Sequence, residues 1–492
     1  MSQAVRFASY GDADVLKLVD VPLPEPGEGQ VRVAVKAVGV NPIDWKIRQG
    51  LFSSGQALAE PTRVGTELSG VIDAVGSGVT GWRIGQAVFG RSANYTAAAE
   101  YDVVDAADLI AKPEWLSFEQ AAALPAAVET AYRTLRELKV GMGDTLLVHA
   151  AAGGVGLVAT QLARAWGATV IGTASAPNHA FLQEVGAVPV SYGDGLVERV
   201  RAAAPQGIDA VLDASGRGVL PDSIELTGDP NKVLTIADLS GAALGVRFSG
   251  TPLSVVEALA AVLPLMEKGQ LQMPIDSVFP LQRTADAQRR SEQGHLRGKI
   301  IIKVAPASSL LAAAAAPTVQ IIRHITSDQL DATTPDSEWT VRQLLHHLLH
   351  WAPVLEGAAR KEAVAADPAA DLVRDDWAVR LEAHIDRLVR AWGNQSAWEG
   401  TVPLGGHELP ALVVGGVMLN EWVVHGWDLA RATGQTAEWP DDALEYLYHH
   451  LSKSVERGRA EGMFGAEVAV PTEASAMDRL LGLSGRDPQW TP

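Results

Sequence analysis

The chain carries a glycine-rich turn between an apolar segment and a helix-like segment. Residues 149–156 read His-Ala-Ala-Ala-Gly-Gly-Val-Gly, after the apolar run 145–148 and before the helix-like run 157–166. A strand, turn and helix of this kind lays a pyrophosphate on the helix N-terminus, with Ala151 at the tight turn, Gly153 facing the phosphate and Gly156 packed on the strand. A second apolar run, residues 168–174, follows at βαβ spacing. The sequence therefore predicts a dinucleotide site rather than a plain turn.

The residue that follows the second apolar run bears on the choice of dinucleotide. An NAD site would place an Asp or Glu about 20 residues past the turn, on the ribose 2′-hydroxyl. This chain has Ser175 there, with no carboxylate to repel a 2′-phosphate. No Arg or Lys stands at residues 176–179 to bind such a phosphate. We therefore expect NADPH, without a cationic partner identified for it.

A second set of side chains could hold a metal ion. Glu421 and His425 are four residues apart and share one face of a helix, which is ligand geometry for a divalent metal. His347 and His350, on a predicted helix over residues 341–351, could supply a third ligand. On spacing alone, a solvated Glu–His pair beside half-buried histidines is the better interpretation. The chain has no cysteine, so any metal must be held by His, Asp or Glu.

The composition is that of a long, acidic, globular chain. A chain of 492 residues is too long for a single hydrophobic core, and its length suggests about three domains. Hydrophobic residues make up 47%, and no apolar stretch reaches the roughly 18 residues of a membrane helix. The net charge of -18 opposes binding to nucleic acid or anionic lipid. Met1-Ser-Gln-Ala lacks a charged segment followed by an apolar one, so we expect a cytoplasmic protein.

The elements that must position these residues change along the chain. Residues 1–125 are rich in short β-like runs separated by turns, which predicts a β domain. Ser117 and Gln120 have the spacing of a capping box and begin a helix that we expect to reach Leu135. Strands and helices then alternate from residue 145 to about 239, which predicts a parallel sheet with helices on both faces.

The last third of the chain predicts a helical bundle. Residues 298–304 form one more predicted strand, and residues 305–316, with five alanines in a row from 312, are interpreted as a linker, although a helix start also fits. After Pro317, amphipathic helices dominate, and nine of the 13 tryptophans lie beyond residue 338, where we expect them in the core. Apolar residues at helical spacing are Trp377, Leu381, Ile385, Leu388 and Trp392.

Five motifs in the first 304 residues agree in identity and order with one superfamily. They are Val38-Gly-Val-Asn-Pro-Ile-Asp44, Gly65-Thr-Glu67 with Gly70, Thr130-Ala-Tyr132, the glycine-rich turn and Gly298-Lys-Ile300. Together they resemble the medium-chain dehydrogenase/reductase superfamily and, within it, the zinc-free quinone oxidoreductase branch. The resemblance implies an α/β fold. A GroES-like β domain spans residues 1–125, completed by about 265–304, and a Rossmann doubly wound parallel sheet spans 126–264.

The resemblance also implies where the cofactor binds. The nicotinamide lies near two residues, the pyrophosphate on the glycine-rich turn, and the adenosine phosphate end near two more. The implied residues are Asn41 and Thr130, then Ala152, Gly153, Gly154, Val155 and Gly156, then Ser175 and Tyr192.

The absence of cysteine bears on the reaction. Zinc-dependent relatives hold the catalytic metal through a cysteine in the segment matched here by Val40 and Asn41. Without that Lewis acid, hydride transfer to an electron-poor quinone or enone is favoured over alcohol oxidation. No catalytic residue is identified; Lys46, Arg48, Tyr95 and Tyr101 are candidate proton donors by location alone.

The C-terminal part resembles a different family. Its motifs are Glu338-Trp-Thr-Val-Arg-Gln-Leu-Leu-His-His347, His425-Gly-Trp-Asp-Leu-Ala-Arg-Ala-Thr-Gly434 and Gly485-Arg-Asp-Pro-Gln-Trp490. They resemble the DinB-like, mycothiol-dependent maleylpyruvate isomerase family over residues 317–492. The resemblance implies an all-α four-helix bundle in which His347, Glu421 and His425 hold a divalent metal, often zinc, with Asp428 supporting a ligand. It further implies a low-molecular-weight thiol as a partner.

Three functions are compatible with these features. The leading hypothesis is an NADPH-dependent quinone or enone reductase fused to a metal-binding bundle. In the second, the bundle is a metal- and mycothiol-dependent transferase or isomerase, and the nucleotide domain is regulatory. The third is a non-enzymatic NADPH-binding redox sensor. Zinc-free reductases of this kind are often dimers, so a homodimer is also considered.

Overall fold

The computed structural model describes residues 2–336, 339–366, 371–460, 462–471 and 473–492. The chain divides into two compact units, residues 1–304 and residues 305–492. Among the described residues, no helix has both the length and the apolar composition needed to cross a membrane. Glu338, with which the first C-terminal motif begins, lies outside the described residues.

The first unit contains two sheets of functional interest and the helices around them. Its strands are β1 (Ser2–Phe7), β2 (Lys17–Val21), β3 (Gln30–Val40), β4 (Thr62–Arg63), β5 (Glu67–Val75), β6 (Ala87–Arg91), β7 (Tyr101–Asp105), β8 (Leu109–Ala111), β9 (Thr145–His149), β10 (Thr169–Thr173), β11 (Val188–Val190), β12 (Ala210–Asp213), β13 (Val233–Thr235), β14 (Arg247–Phe248), β15 (Ile275–Pro280) and β16 (Lys299–Lys303). Its helices are α1 (Pro42–Arg48), α2 (Phe118–Ala122), α3 (Pro125–Glu137), α4 (Gly154–Ala165), α5 (His179–Glu184), α6 (Leu196–Ala203), α7 (Leu220–Thr227), α8 (Val255–Glu267) and α9 (Thr284–Gln293).

The N-terminal domain is built on a mixed sheet of order β15-β16-β3-β5-β6-β8, with β7 also paired to β3. Strand β3 alternates in the way the sequence predicts, because Val31, Val33 and Val35 are buried while the residues between them are partly exposed. Strand β16, from the end of the unit, pairs antiparallel with β3. The last segment of the unit therefore completes the N-terminal sheet. A smaller sheet of order β2-β1-β4 accompanies it.

The nucleotide-type sheet is wholly parallel. Its order is β11-β10-β9-β12-β13-β14, and each neighbouring pair runs parallel. Every residue of the central strand β9 is buried, as expected for a strand covered on both faces. The strand order reverses between β9 and β12, and this switch point opens a crevice at the carboxyl ends of the strands. The predicted doubly wound α/β fold is confirmed.

The helix predicted from Ser117 to Leu135 is interrupted. The capping box is present, since Ser117 Oγ accepts from the Gln120 backbone N–H at 3.1 Å and Gln120 Oε1 accepts from the Ser117 N–H at 3.0 Å. Helix α2 nevertheless ends at Ala122, and α3 begins at Pro125. Proline fits the first position of a helix but not its interior, so the prediction of one continuous helix is wrong.

The second unit is mainly helical. Its helices are α10 (Ala307–Arg323), α11 (Val341–Ala359), α12 (Trp377–Trp392), α13 (Ala411–Ala432), α14 (Asp441–Ser452), α15 (Val455–Ala460) and α16 (Ala476–Ser484), and its strands are β17 (Thr401–Leu404) and β18 (His407–Pro410). Helices α10, α11, α12 and α13 pack on one another as a four-helix bundle. The two strands add an antiparallel hairpin to the predicted bundle.

The interpretation of residues 305–316 as a linker is wrong. Helix α10 begins at Ala307 and continues through the alanine run. Leu310, Leu311 and Ala314 are buried in the bundle core, and the Ala314 carbonyl accepts a hydrogen bond from the Trp439 indole N–H at 3.0 Å. Alanine has the highest helix propensity, and the two leucines give this segment a face to bury. The alternative, a helix start, is the one that occurs.

The tryptophans serve the bundle core as the sequence predicts. Six of those beyond residue 338 are buried, and the apolar face of α12 is buried throughout. The buried tryptophans are Trp377, Trp392, Trp398, Trp422, Trp427 and Trp439.

Candidate functional sites

The glycine-rich turn has the geometry of a phosphate cradle. Strand β9 ends at His149, Ala150 adopts a left-handed conformation with φ 58°, and Gly153 is the N-cap of α4 with no side chain capping the helix. A Cβ atom on Gly156 would collide with the carbonyl oxygen of Ala150. The first amides of α4 are thus uncapped by side chains, at the positive end of a helix dipole. These residues fit a dinucleotide pyrophosphate.

Strand β16 joins this turn to the N-terminal sheet. Gly298 donates its backbone N–H to the Ala152 carbonyl at 2.9 Å, and Gly298 and Gly153 form a parallel bridge. A Cβ atom on Gly154 would lie 2.8 Å from Cδ of Lys299. The stem of Lys299 therefore packs directly on the backbone of the turn, and the missing side chain at Gly154 is what permits it.

A buried polar cluster lies where Lys299 reaches the N-terminal sheet. Lys299 Nζ donates to Asn41 Oδ1 at 2.6 Å and to Glu67 Oε1 at 2.7 Å. Asn41 Nδ2 in turn donates to Glu67 Oε1 at 2.7 Å and to Thr66 Oγ1 at 2.8 Å. Glu67 is 0% exposed and Lys299 4% exposed. With an ammonium on one side and a carboxylate on the other, the Asn41 amide can adopt only one of its two orientations.

Asn41 also begins helix α1. Its backbone N–H donates to Asp44 Oδ2 at 2.7 Å, which completes a capping box. Burial raises the pKa of Asp44 to about 7, although the Asn41 hydrogen bond and Lys299 lower it. The N-terminus of α1 therefore fixes the backbone of Asn41, while the polar cluster fixes its side chain.

The other sequence-predicted cofactor residues lie at the edges of the crevice. Ser175 follows β10 by two residues and Tyr192 follows β11 by two, and these strands end in register, so both residues lie at the carboxyl edge of the sheet. Tyr192 Oη lies 3.3 Å from His295 Nδ1 and its side chain is exposed. Thr130 is half-buried on α3, where its hydroxyl donates to Glu129 Oε2 at 3.4 Å.

The second unit holds the acid and the two histidines singled out from the sequence. His347 Nε2 lies 3.0 Å from Glu421 Oε2, and His425 Nε2 lies 3.7 Å from the same oxygen. The three donor atoms lie within 4.8 Å of one another. Two imidazoles and one carboxylate are a donor set that suits zinc and leaves coordination positions open. His350 is outside this group and stacks on His346, with ring centroids 6.0 Å apart.

A buried chain of charges supports His425. Its Nδ1 lies 3.0 Å from Asp428 Oδ2, which directs Nε2 toward Glu421. Arg486 Nη2 donates to Asp428 Oδ2 at 3.2 Å and to Asp336 Oδ2 at 2.6 Å. The third C-terminal motif therefore supplies the counter-ion for the second. A carboxylate on the far nitrogen of a histidine is the usual support of a metal ligand.

Electrostatics at this group favour an ionised carboxylate. Burial raises the pKa of Glu421, but the nearby His425, His347 and Arg486 outweigh it and hold that pKa below its ordinary value. Burial lowers the pKa of His425, whereas Glu421 and Asp428 raise it, and the net shift is upward. The ring of Trp339 covers one side, with centroids 4.7 Å from His347 and 5.8 Å from His425.

Comparison with known proteins assigns the first unit. Residues 27–114 match the alcohol dehydrogenase GroES-like domain family and residues 186–302 the zinc-binding dehydrogenase family. Human quinone oxidoreductase is 32% identical over 326 residues, which are 61% of this chain and 98% of that protein. The chain belongs to the quinone oxidoreductase family of medium-chain dehydrogenases/reductases. This confirms the resemblance drawn from its five motifs.

Other members of the family extend the comparison. The NADPH-dependent alkenal/one oxidoreductase of Arabidopsis thaliana is 32% identical over 314 residues, covering 61% of this chain and 79% of that protein. The Coxiella burnetii quinone oxidoreductase structure has a TM-score of 0.56 and 34% identity over 62% of this chain and 99% of that one. The Escherichia coli quinone oxidoreductase complexed with NADPH has a TM-score of 0.56 and 27% identity over 61% and 99%.

The second unit matches a separate family. Residues 311–430 match the mycothiol maleylpyruvate isomerase N-terminal domain. The match begins within α10, in agreement with the placement of that helix in the bundle. The predicted fusion of a quinone oxidoreductase-like unit with a bundle of this family is confirmed.

In this member of the quinone oxidoreductase family, the four candidate proton donors lie in different environments. Arg48 is fully buried and paired with Glu292. Arg32 lies over the ring of Tyr101, and Tyr95 is an exposed residue in a left-handed turn. Lys46 alone among the four has its polar group close to the nucleotide sheet, 3.5 Å from the Ala237 carbonyl oxygen.

Three residues beside the predicted cofactor site escaped sequence reasoning. Glu67 and Lys299 occur in the quoted motifs, yet nothing in the sequence connects residues 232 positions apart. The third is Arg297, a cation beside residues 176–179, whose Nε donates to Asn178 Oδ1 at 3.1 Å and whose Nη2 donates to the Pro177 carbonyl at 3.2 Å. Its position one residue before a quoted motif was the only available signal.

Proposed function

We propose that residues 1–304 catalyse the NADPH-dependent reduction of a quinone or an α,β-unsaturated carbonyl without catalytic zinc. The observation that carries this proposal is the uncapped glycine-rich turn at the switch point, on which Lys299 packs as it reaches Asn41 and Glu67. When bound, NADPH supplies the hydride. The names of the relatives support the same class of acceptor.

Different residues of this site would bind different parts of NADPH. Ala152, Gly153, Gly154, Val155 and Gly156 would hold the pyrophosphate through backbone amides and close approach. Asn41 and Thr130 would flank the nicotinamide. Both N–H bonds of the Asn41 amide are used within the cluster, so Asn41 would offer the nicotinamide a rigid neighbour rather than a hydrogen-bond donor. Zinc-dependent dehydrogenases hold a catalytic zinc through a cysteine in this segment. This chain has Val40 and Asn41 there and no cysteine.

Ser175, Tyr192 and Arg297 would bind the adenosine 2′-phosphate. The guanidinium of Arg297 already reaches the loop after Ser175, and phosphate is a stronger acceptor than the carbonyl it bonds there. Replacing Arg297 by Gln should raise the KM for NADPH about tenfold and leave that for NADH unchanged. Arg201→Gln, which breaks an exposed ion pair with Glu225, is the matched control. Equal effects on both nucleotides would contradict this assignment.

The reductase proposal is tested by NADPH oxidation against a panel of quinones and enones, with and without a metal chelator. Turnover that is indifferent to the chelator is the expected result. NADPH binding without turnover on any acceptor would favour the redox-sensor hypothesis instead. A small-molecule acceptor is the proposed partner of this unit. A homodimer also remains a proposal, supported by the exposed Phe248 on the edge strand β14.

We further propose that residues 305–492 bind a divalent metal, such as zinc, through His347, Glu421 and His425, and that a low-molecular-weight thiol is their partner. The convergence of the three donor atoms supports the metal site. A bound metal would lower the pKa of a coordinated thiol and generate a nucleophilic thiolate. Zinc titration of the protein and of the Glu421→Gln variant tests the site, with loss of stoichiometric binding expected in the variant.

A further inference from the structure

Lys46 extends from the N-terminal domain toward the nucleotide sheet. It lies on α1, one helical turn after Asn41 and the polar cluster. Its Nζ lies 3.5 Å from the carbonyl oxygen of Ala237, which follows β13. Strand β13 pairs with β12, the strand at the switch point. The ammonium therefore stands at the carboxyl ends of the strands, where the dinucleotide crevice opens.

Reduction of an enone needs a proton at carbon as well as a hydride. Hydride addition to the β-carbon moves the π electrons of the C=C bond into an enolate, and the α-carbon must then form a C–H bond. Arg48 cannot serve, because a guanidinium does not release its proton and this one is buried against Glu292. Asp44 is buried, and its Oδ2 accepts a hydrogen bond from the Asn41 backbone N–H, so its carboxyl group does not face a substrate.

We propose that Lys46 is the general acid that protonates the α-carbon of an enone substrate. This inference rests on the reductase function proposed above. An N–H bond of the Lys46 ammonium breaks, the proton forms the new C–H bond with the electron pair of the enolate, and the neutral amine regains a proton from water. The hydride supplies both electrons of the reduction, so no further reductant is needed.

The surroundings of Lys46 suit this role. Partial burial lowers the pKa of Lys46 below its ordinary value, and Asp213 and Asp238 act against that shift. A general acid is most effective when its pKa lies near the working pH, and a lysine whose pKa is lowered comes closer to that condition. Asp213 is fully buried, with Oδ1 accepting from Ser215 and Oδ2 from Thr235. It therefore acts on Lys46 at a distance and leaves its protons available.

The first test compares two acceptors. In Lys46→Met, we expect kcat for an enone to fall about 100-fold, with loss of the basic limb of its pH profile. Quinone reduction should lose clearly less, because hydroquinone oxygens take protons from water, so the ratio of the enone kcat to the quinone kcat should fall. Lys36→Met, which removes another half-buried lysine whose pKa burial lowers, is the matched control. Equal losses with enone and quinone, or no loss with enone, would overturn the proposal.

A second test needs no turnover. Acylation of lysine amines, followed by peptide mass spectrometry over a pH series, reports the titration and access of each amine. Lys46 should react at lower pH than the exposed Lys17, and NADP⁺ should slow its reaction without affecting Lys17. Labelling of Lys46 that NADP⁺ does not slow would overturn its placement in the crevice. A wild-type protein inactive on quinones and enones would instead overturn the proposed function, a separate result.

Discussion

His149 links the nucleotide sheet to the pH dependence of its stability. It ends β9 and is 0% exposed, with Nδ1 3.3 Å from Thr173 Oγ1 and Nε2 3.0 Å from Ser223 Oγ. Burial lowers the pKa of His149 from 6.5 to about 4, although Asp213 opposes the shift. The folded sheet therefore binds this proton more weakly than the unfolded chain. Its contribution to the free energy of unfolding is complete above pH 6.5 and is lost as the pH falls toward 4.

The first prediction compares wild type with His149→Asn, which keeps a hydrogen-bonding side chain but cannot titrate. The variant should be less stable at pH 7, and the difference should shrink by about 3 kcal/mol at pH 4. The two proteins must be compared because Asp44 and Glu100 also change the stability between pH 4 and 7. Burial raises their pKa values to about 7, so they make the free energy of unfolding fall as the pH rises through this range. Urea unfolding, monitored by hydrogen exchange of peptides from β9, measures the difference in the free energy of unfolding at each pH. A difference that is constant with pH would refute the prediction.

The second prediction concerns Asp428, which supports a proposed metal ligand. In Asp428→Asn, the charge that holds His425 Nδ1 is lost and Arg486 loses one of its two carboxylates. Zinc affinity should fall about 10- to 100-fold, the usual effect of removing such a support. Titration calorimetry measures it. Asp331→Asn, at an exposed ion pair with Arg342, should leave the affinity unchanged. Unchanged zinc binding by a folded Asp428→Asn protein would show that the support is dispensable.

At the scale of elements, the glycine-rich turn depends on the absence of a Cβ atom at Gly156. Replacing a helical glycine by alanine normally stabilises a helix. Here the new methyl group would collide with the Ala150 carbonyl, so Gly156→Ala should destabilise the unit by about 1 to 3 kcal/mol and weaken NADPH binding. Gly141→Ala is the control, because its Cβ would meet only Asp144 Oδ2 at 4.0 Å. Thermal unfolding and fluorescence titration with NADPH measure both effects, and tight binding by Gly156→Ala would contradict the packing argument.

Elements with a strong local pattern could be predicted from the sequence, and the contacts between distant elements could not. Strand β9 and helix α4 follow from apolar runs around a glycine-rich turn, because backbone and burial demands act locally there. The sequence pattern does not reveal the break before Pro125, because the capping box and the helical periodicity favour one continuous helix. The alanine run resembles a linker in its low complexity, although alanine is the best helix former.

The candidate sites divide in the same way. Glu421 and His425 share a helix face by their spacing alone, and the structure adds His347 from another helix. The Lys299–Glu67 ion pair joins a strand at the end of the unit to one near its start, 232 residues earlier. A lysine at the first position of an apolar strand ordinarily faces water, so the burial of Lys299 depends on tertiary contacts that no local pattern encodes.

At the scale of the whole molecule, the boundary between the two units decides what can be separated. Contacts within the chain place this boundary between residues 304 and 305, whereas the sequence predicts that the bundle begins at 317. The difference is the first half of α10. Removing it would take Leu310 and Leu311 from the bundle core and leave the buried indole N–H of Trp439 without the Ala314 carbonyl.

The last prediction follows from that boundary. A fragment of residues 305–492 should fold and unfold cooperatively, whereas 317–492 should lose about 5 kcal/mol or more, since two buried leucines and one buried hydrogen bond are removed together. That loss equals the whole stability of many domains, so the shorter fragment should be largely unfolded. Circular dichroism and thermal unfolding of both fragments decide the matter, and a double substitution Leu310→Ala/Leu311→Ala in the longer one tests the same core without truncation. If 317–492 folded as stably as 305–492, the first half of α10 would be a peripheral extension, and the bundle would begin where the sequence first indicated.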